Sequence, residues 1–233
     1  SVFITDYCLH MVDKLKDHPV KRIAWLLEPR AICSSSYRYV ETNHDKFDTI
    51  LTFDEDLLTN IKNAKFMPYG SFWVDKSNIP KTLKISMISS FKNFASGHQL
   101  RHQIYNTHKG IIDMFGSITG DRISSKNIGL DNYMFSVAVE NSIQSGYWTE
   151  KILDCFATKT IPIYWGSETI SEYFNTDGVL FFNSLEELNE IIKSCTEETY
   201  RSMLSAVEDN FKRVSRFNIP EMFIEDNYED LLS

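Results

Sequence analysis

Residues 133–166 constrain the fold of this chain more than any other stretch. They read as an apolar strand, Tyr133–Val139, a polar loop, a helix that opens at Thr149, and a second apolar strand at 160–165. A strand–helix–strand unit of this length is a crossover between parallel strands. Ligands of such units bind at the carboxyl ends of the strands, so we predict a site at that edge of the sheet.

Four polar side chains fall at the predicted edge. Glu140 and Asn141 end the first strand, and Glu150 and Lys151 open the helix. Acids are common in a first helical turn because the helix dipole favours them, so Glu150 alone indicates little. The same dipole disfavours a lysine there, and an anionic ligand on the free N–H groups would explain Lys151 better.

Strand and helix patterns alternate along the whole chain, which indicates the α/β class. We predict a helix over residues 5–16 and a long helix over residues 197–217 from their apolar spacing. The polar segment 75–81 contains a proline and is the best linker candidate. The predicted domains are therefore residues 1–76 and 82–233, and the first is short for a complete domain or truncated.

The central stretch resembles the α1,3/4-fucosyltransferases of glycosyltransferase family 10, most closely the bacterial members. The family signature is an E-N pair, a loop, Y-(V/I)-T-E-K, an apolar helix and P-(I/V)-x-x-G. This chain carries it as Glu140, Asn141, Tyr147, Trp148, Thr149, Glu150, Lys151, Pro162 and Gly166. Trp148 departs from the pattern, since the family more often has a β-branched residue there, and we expect it to alter packing rather than chemistry.

Two shorter matches lie upstream. Residues 84–90 and 97–105 are similar to the strand and helix in which the family places a phosphate-binding arginine, here Arg101. Residues 23–28 are similar to the strand that delivers the catalytic acid, which would make Glu28 the general base.

The resemblance implies two Rossmann-like domains facing a cleft, the GT-B arrangement. It implies an inverting, metal-independent transfer of L-fucose from GDP-fucose to a hydroxyl of a glycan acceptor. Donor binding would then fall to Arg101, Glu140, Asn141, Tyr147, Thr149, Glu150 and Lys151, without a metal or other cofactor. A transferase using another nucleotide sugar, or a non-catalytic nucleotide- or carbohydrate-binding module, remains an alternative.

Other readings of single residues stay open. Asp54 and Asp56 follow a strand as the D-x-D of metal-dependent transferases does, although an aspartate before a helix is a common N-cap, and we favour the cap. His98 and His102 are spaced for a shared metal, but no glutamate or third ligand accompanies them. Glu140 is the rival to Glu28 as base, and we favour a structural or sugar-contacting role for it.

Charge and cysteine content narrow the partners and the compartment. A net charge of −8 without a cluster of Lys and Arg argues against nonspecific nucleic-acid binding. The four cysteines, Cys8, Cys33, Cys155 and Cys195, show no C-x-x-C spacing and read as buried thiols of a reducing compartment. We predict a cytoplasmic protein and leave open a peripheral association with the inner membrane face.

Overall fold

A computed structural model describes residues 1–232, which form two parallel sheets. The first sheet has the order β1-β2-β3-β4 and the second the order β6-β5-β7-β8-β9. The strands of the first are β1 (Val2–Thr5), β2 (Arg22–Trp25), β3 (Thr49–Thr52) and β4 (Ala64–Phe66). The strands of the second are β5 (Leu83–Ile88), β6 (Asp113–Phe115), β7 (Tyr133–Val139), β8 (Ile161–Trp165) and β9 (Leu180–Phe181).

Eight α-helices occur within residues 1–232 and cover or connect the strands. They are α1 (Arg30–Asn43), α2 (Glu55–Asn60), α3 (Ser96–His108), α4 (Glu150–Ala157), α5 (Leu185–Ser194), α6 (Glu197–Ser202), α7 (Leu204–Arg213) and α8 (Pro220–Asn227). No helix among these residues is both long and apolar enough to cross a bilayer.

The predicted crossover is confirmed as β7, α4 and β8. Strands β7 and β8 pair in parallel, with Phe135 opposite Ile161 and Val139 opposite Trp165. Helix α4 buries Ile152 and Phe156 against the sheet, and the side chain of Thr149 caps it by accepting from the N–H of Lys151. The crossover therefore delivers the end of β7 and the first turn of α4 to the same sheet edge.

The two long predicted helices differ from the structure. Residues 2–5 form β1, and Asp6–Leu15 is a 3₁₀-helix in place of an α-helix. Its apolar residues Leu9, Val12 and Leu15 recur every three positions, which matches the 3.0-residue turn of that helix. The predicted helix over 197–217 is divided into α6, α7 and a 3₁₀ turn, with its first break at Met203, whose φ is −95° and ψ 0°.

The end of the described chain returns to the first sheet. Ile224 of α8 and Leu231 pack with Ile23, Leu51 and Met67 in one buried cluster. The predicted domain boundary, between residues 76 and 82, falls between the two sheets. The division of the chain into two domains stays a prediction. Residues from 220 onward were expected with the second domain, but their apolar side chains cover the first sheet.

The four cysteines are free thiols, and three of them are buried as expected. The expectation was wrong for Cys8, which is exposed. It lies on the outer face of the 3₁₀-helix, next to the buried Leu9.

Candidate functional site

A cavity of about 530 Å³ opens at the carboxyl ends of β2, β5 and β7. We call the part of the chain built on the first sheet the first half and the part built on the second sheet the second half. Glu28 and Ile32 line the cavity from the first half, and Tyr69 and Trp73 line it from the connection between the sheets. The second half contributes several of the predicted site residues, namely Arg101, Asn141, Tyr147, Thr149, Glu150 and Lys151. Six of the seven predicted donor residues and the predicted base therefore share one cavity.

Glu140 is the exception, because its carboxylate lies behind the cavity wall and is fully buried. Its Oε1 accepts from the N–H of Thr149 at 2.9 Å and its Oε2 from the hydroxyl of Thr149 at 2.7 Å. The Nζ of Lys151 lies 3.2 Å from the same Oε2. Glu140 thus ties the end of β7 to the first turn of α4, and direct donor contact by Glu140 stays a prediction.

Lys151 presents its ammonium group between two carboxylates. Its Nζ lies 3.2 Å from Glu140 and 3.5 Å from Glu150, and it donates to the hydroxyl of Thr149 at 2.8 Å. Burial opposes the charged form, but Glu140 and Glu150 outweigh it and raise the pKa of Lys151. The site thus keeps a fixed positive charge beside the N-terminus of α4.

Arg101 reaches the cavity from α3 and is nine-tenths or more shielded from solvent. Its Nε donates to the carbonyl of Val139 at 2.9 Å, and its Nη2 donates to Oδ1 of Asn141 at 2.9 Å. Burial lowers the pKa of Arg101, although a guanidinium remains charged in proteins. The guanidinium is a second positive charge, held by the end of β7.

Gly97 sets the distance between α3 and the end of β7. Its N–H donates to the carbonyl of Asn141 at 3.0 Å. A Cβ at this position would lie 1.7 Å from the carbonyl oxygen of Glu140, closer than any real contact. Only glycine permits this approach, which brings Arg101 one turn later to the strand end.

Glu150 belongs to a network that sequence reasoning missed. It lies 3.6 Å from the Nζ of Lys126, which also pairs with Asp154 at 2.7 Å and stacks over the ring of Trp73. Burial opposes ionisation of Glu150, but Lys151 and Lys126 outweigh it and lower its pKa.

No sequence motif marks Lys126 or Trp73, and both are distant from Glu150 in the chain. Asp154 is one turn beyond Glu150 on α4, and its spacing is the only signal that could have indicated it.

Glu28 follows β2 and is half-buried at the opposite wall. Burial is the main cause that raises the pKa of its carboxyl; Lys151 opposes this effect, and Asp6 and Glu150 add to it. The Nδ2 of Asn141 lies 3.5 Å from its Oε2. A carboxylate with raised pKa, partly open to a cavity, has the properties of a general base.

Asn141 and Tyr147 join the walls of the cavity. Asn141 accepts from Arg101 and directs its own amide toward both Glu28 and the hydroxyl of Tyr147, which lies 3.3 Å away. The ring of Tyr147 packs on Phe53 of the first half, with centroids 5.0 Å apart. One amide thus contacts the predicted base and the predicted phosphate-binding arginine.

Asp54, His98 and His102, which the sequence analysis weighed as metal ligands, make structural contacts. Asp54 is the N-cap of α2 and pairs with Arg30 through both oxygens, at 2.7 and 2.9 Å. The ring of His98 accepts from the N–H of Ala95, and His102 contacts the carbonyls of Phe91 and Lys92. Among residues 1–232 no group of three potential metal ligands occurs.

Comparison with known proteins adds a family to this geometry. Residues 80–209, more than half of the chain, match the family model "Glycosyltransferase family 10 (fucosyltransferase) C-term". The Helicobacter pylori "Alpha-(1,3)-fucosyltransferase FucT" is 37% identical over 73 residues, which are 31% of this chain. The match spans only 15% of that relative's length.

Solved structures extend the likeness to nearly the whole chain. A solved structure of an α1,3-fucosyltransferase with GDP aligns with 97% of this chain over 78% of its own length, with 20% identity and a TM-score of 0.60. A structure of an α1,3-fucosyltransferase with GDP-fucose aligns with 87% of this chain over 75% of its own length, with 20% identity and a TM-score of 0.56. The predicted fold, two Rossmann-like units facing a cleft as in GT-B proteins, is confirmed.

Proposed function

Because the chain belongs to glycosyltransferase family 10, we propose that it is an α1,3-fucosyltransferase that moves L-fucose from GDP-fucose to a hydroxyl of a glycan. One observation carries the proposal. The same cavity joins a carboxylate of raised pKa, Glu28, to the cationic groups of Arg101 and Lys151 on the opposite half. A transferase needs both parts, a base for the acceptor and positive charge for the leaving diphosphate.

The donor occupies the wall formed by β7, α3 and α4. The diphosphate lies against Lys151 and Arg101, which supply the charge that other transferases take from a metal ion. Glu150 accepts from the ribose hydroxyls. The solved relatives with GDP and GDP-fucose support this donor class, because their fold extends over the same part of the chain.

Transfer is a single displacement with inversion. Glu28 takes the proton of the acceptor hydroxyl while its oxygen bonds to the anomeric carbon of fucose. The bond from that carbon to the β-phosphate oxygen breaks, and GDP leaves with the electron pair. Arg101 and Lys151 stabilise the charge that develops on the departing phosphate. The transfer requires no metal ion or other cofactor.

The test is Glu28→Gln, which keeps the size of the side chain but cannot accept a proton. We expect transfer to fall by about a hundredfold or more, the usual scale for loss of a general base. GDP affinity, measured by calorimetry, should stay near that of the wild type.

Glu41→Gln is the matched control, since Glu41 is an exposed residue of α1 outside the cavity wall. Turnover retained in Glu28→Gln would refute the assignment, and a dead Glu140→Gln with donor still bound would move the base to the second half. Melting-temperature shifts with GDP, UDP and CMP distinguish the donor class. A chain that binds GDP without turning over GDP-fucose would be a binding module instead.

A further inference from the structure

Asp6 combines a strained backbone with a carboxylate turned toward the predicted base. It follows β1 as the first residue of the 3₁₀-helix, with a φ of +34°. The left-handed region is unfavourable for residues with a Cβ, and aspartate is among the few that enter it. Such strain persists where surrounding contacts fix it, and it is frequent at functional sites.

The side chain of Asp6 accepts from the backbone beside Glu28. Its Oδ1 lies 3.1 Å from the N–H of Leu27 and 3.5 Å from the N–H of Glu28. On the other side of the residue, the hydroxyl of the fully buried Tyr37 donates to the Glu28 carbonyl at 2.9 Å. The main chain of Glu28 is therefore held at both its N–H and its C=O.

Asp6 also brings a negative charge close to the Glu28 carboxyl. Burial most of all, and then Asp6 and Glu150, raise the pKa of the Glu28 carboxyl, and Lys151 opposes them. The other charged, titratable or polar groups that face Glu28 come from several elements. They are Tyr7 of the 3₁₀-helix, Tyr69 of the connection, Asn141 and Tyr147 of the loop after β7, and Glu150 of α4.

We propose that Asp6 is a positioning residue for Glu28, one that fixes the main chain of the base and places a second negative charge beside it. The inference rests on the proposed function, in which Glu28 takes the proton of the acceptor. In this role, β1 and the strained turn that follows it serve to position the base. A neighbouring anion makes a carboxylate a stronger proton acceptor, which speeds proton transfer in the step that the base assists.

Asp6→Asn separates the charge from the hydrogen bonds. Asparagine tolerates the left-handed backbone, and its side-chain oxygen can still accept from Leu27 and Glu28. We expect the acidic limb of the kcat/KM profile to shift to lower pH, because loss of the negative charge favours ionised Glu28. The plateau value of kcat should fall severalfold, since the base is weaker.

Asp6→Gly keeps the backbone conformation but removes both the acceptor and the charge. We expect kcat to fall about tenfold or more, given the cost of a misplaced catalytic group, with unchanged GDP affinity. Asp13→Asn is the control, because Asp13 lies on the same 3₁₀-helix and pairs with Lys46 instead.

An Asp6→Asn profile that superimposes on the wild-type profile would overturn the inference, and so would a wild-type kcat in Asp6→Gly. If Asp6→Gly does not fold, the Asp6→Asn profile still decides. The proposed function fails separately, through turnover retained in Glu28→Gln.

Discussion

Replacing Gly97 with alanine should damage the site through geometry alone. The added Cβ would lie 1.7 Å from the carbonyl oxygen of Glu140, and ordinary contact begins at 3.4 Å. Helix α3 and the end of β7 must therefore separate by about 1.7 Å. Both partners are backbone, so no side chain can rotate away. We expect a loss of about 3 kcal/mol of stability, the upper end for an overpacked core.

The separation also carries Arg101 away from Val139 and Asn141. A displacement of about 1 Å can cost a hundredfold in rate, so transfer should fall at least that far. For a chain of this size the melting temperature should drop by about 6–12 °C. Calorimetric titration with GDP should show the matching loss of donor affinity.

Ser96→Ala is the control for Gly97→Ala. Ser96 is the preceding residue of the same helical turn, and its side chain is exposed. A Gly97→Ala protein with wild-type melting temperature and GDP affinity would refute the reasoning, because α3 and β7 would then be free to separate without consequence.

Further predictions concern the charges. Lys151→Ala should weaken GDP binding in calorimetry and lower stability by about 3 kcal/mol in thermal unfolding, since Glu140 is left buried without its cation. Arg101→Lys should rescue GDP binding poorly, because an ammonium cannot reproduce the planar fork.

Burial opposes ionisation of Asp54, but Arg30 and the N–H of Leu57 outweigh it and lower its pKa. Its contribution to stability is therefore present above the ordinary carboxyl range and lost as pH falls through the lowered pKa, so Asp54→Asn should be less stable at pH 7 and show a weaker acid dependence. A chelator should leave transfer rates unchanged, and activity restored only by Mn²⁺ would contradict the assignment of the diphosphate charge to side chains.

The crossover could be predicted because its information is local. Apolar residues at strand and helix spacing specify β7, α4 and β8, and the capping Thr149 marks where the helix begins. The gathering of Asn141, Glu150 and Lys151 then follows from the topology of parallel strands. The same local reasoning led to the N-cap interpretation of Asp54, which the structure supports.

What sequence reasoning missed depends on contacts between distant segments. Lys126 meets Glu150 and Asp154 only after the second sheet has formed, and Asp6 meets the Glu28 backbone through the pairing of β1 with β2. The burial of Glu140 was also hidden, because an E-N pair at a strand end reads the same whether its carboxylate faces the cavity or the core.

The return of α8 to the first sheet means that the chain crosses between the halves twice, at residues 67–82 and again near residues 214–220. The two crossings are two hinge points between the halves. A rotation about the line that joins them would leave both in place, whereas sliding or twisting of one half over the other would have to displace at least one. Opening of the cleft would then follow a single arc, and Glu28 would return to the same point opposite Lys151 at every closure.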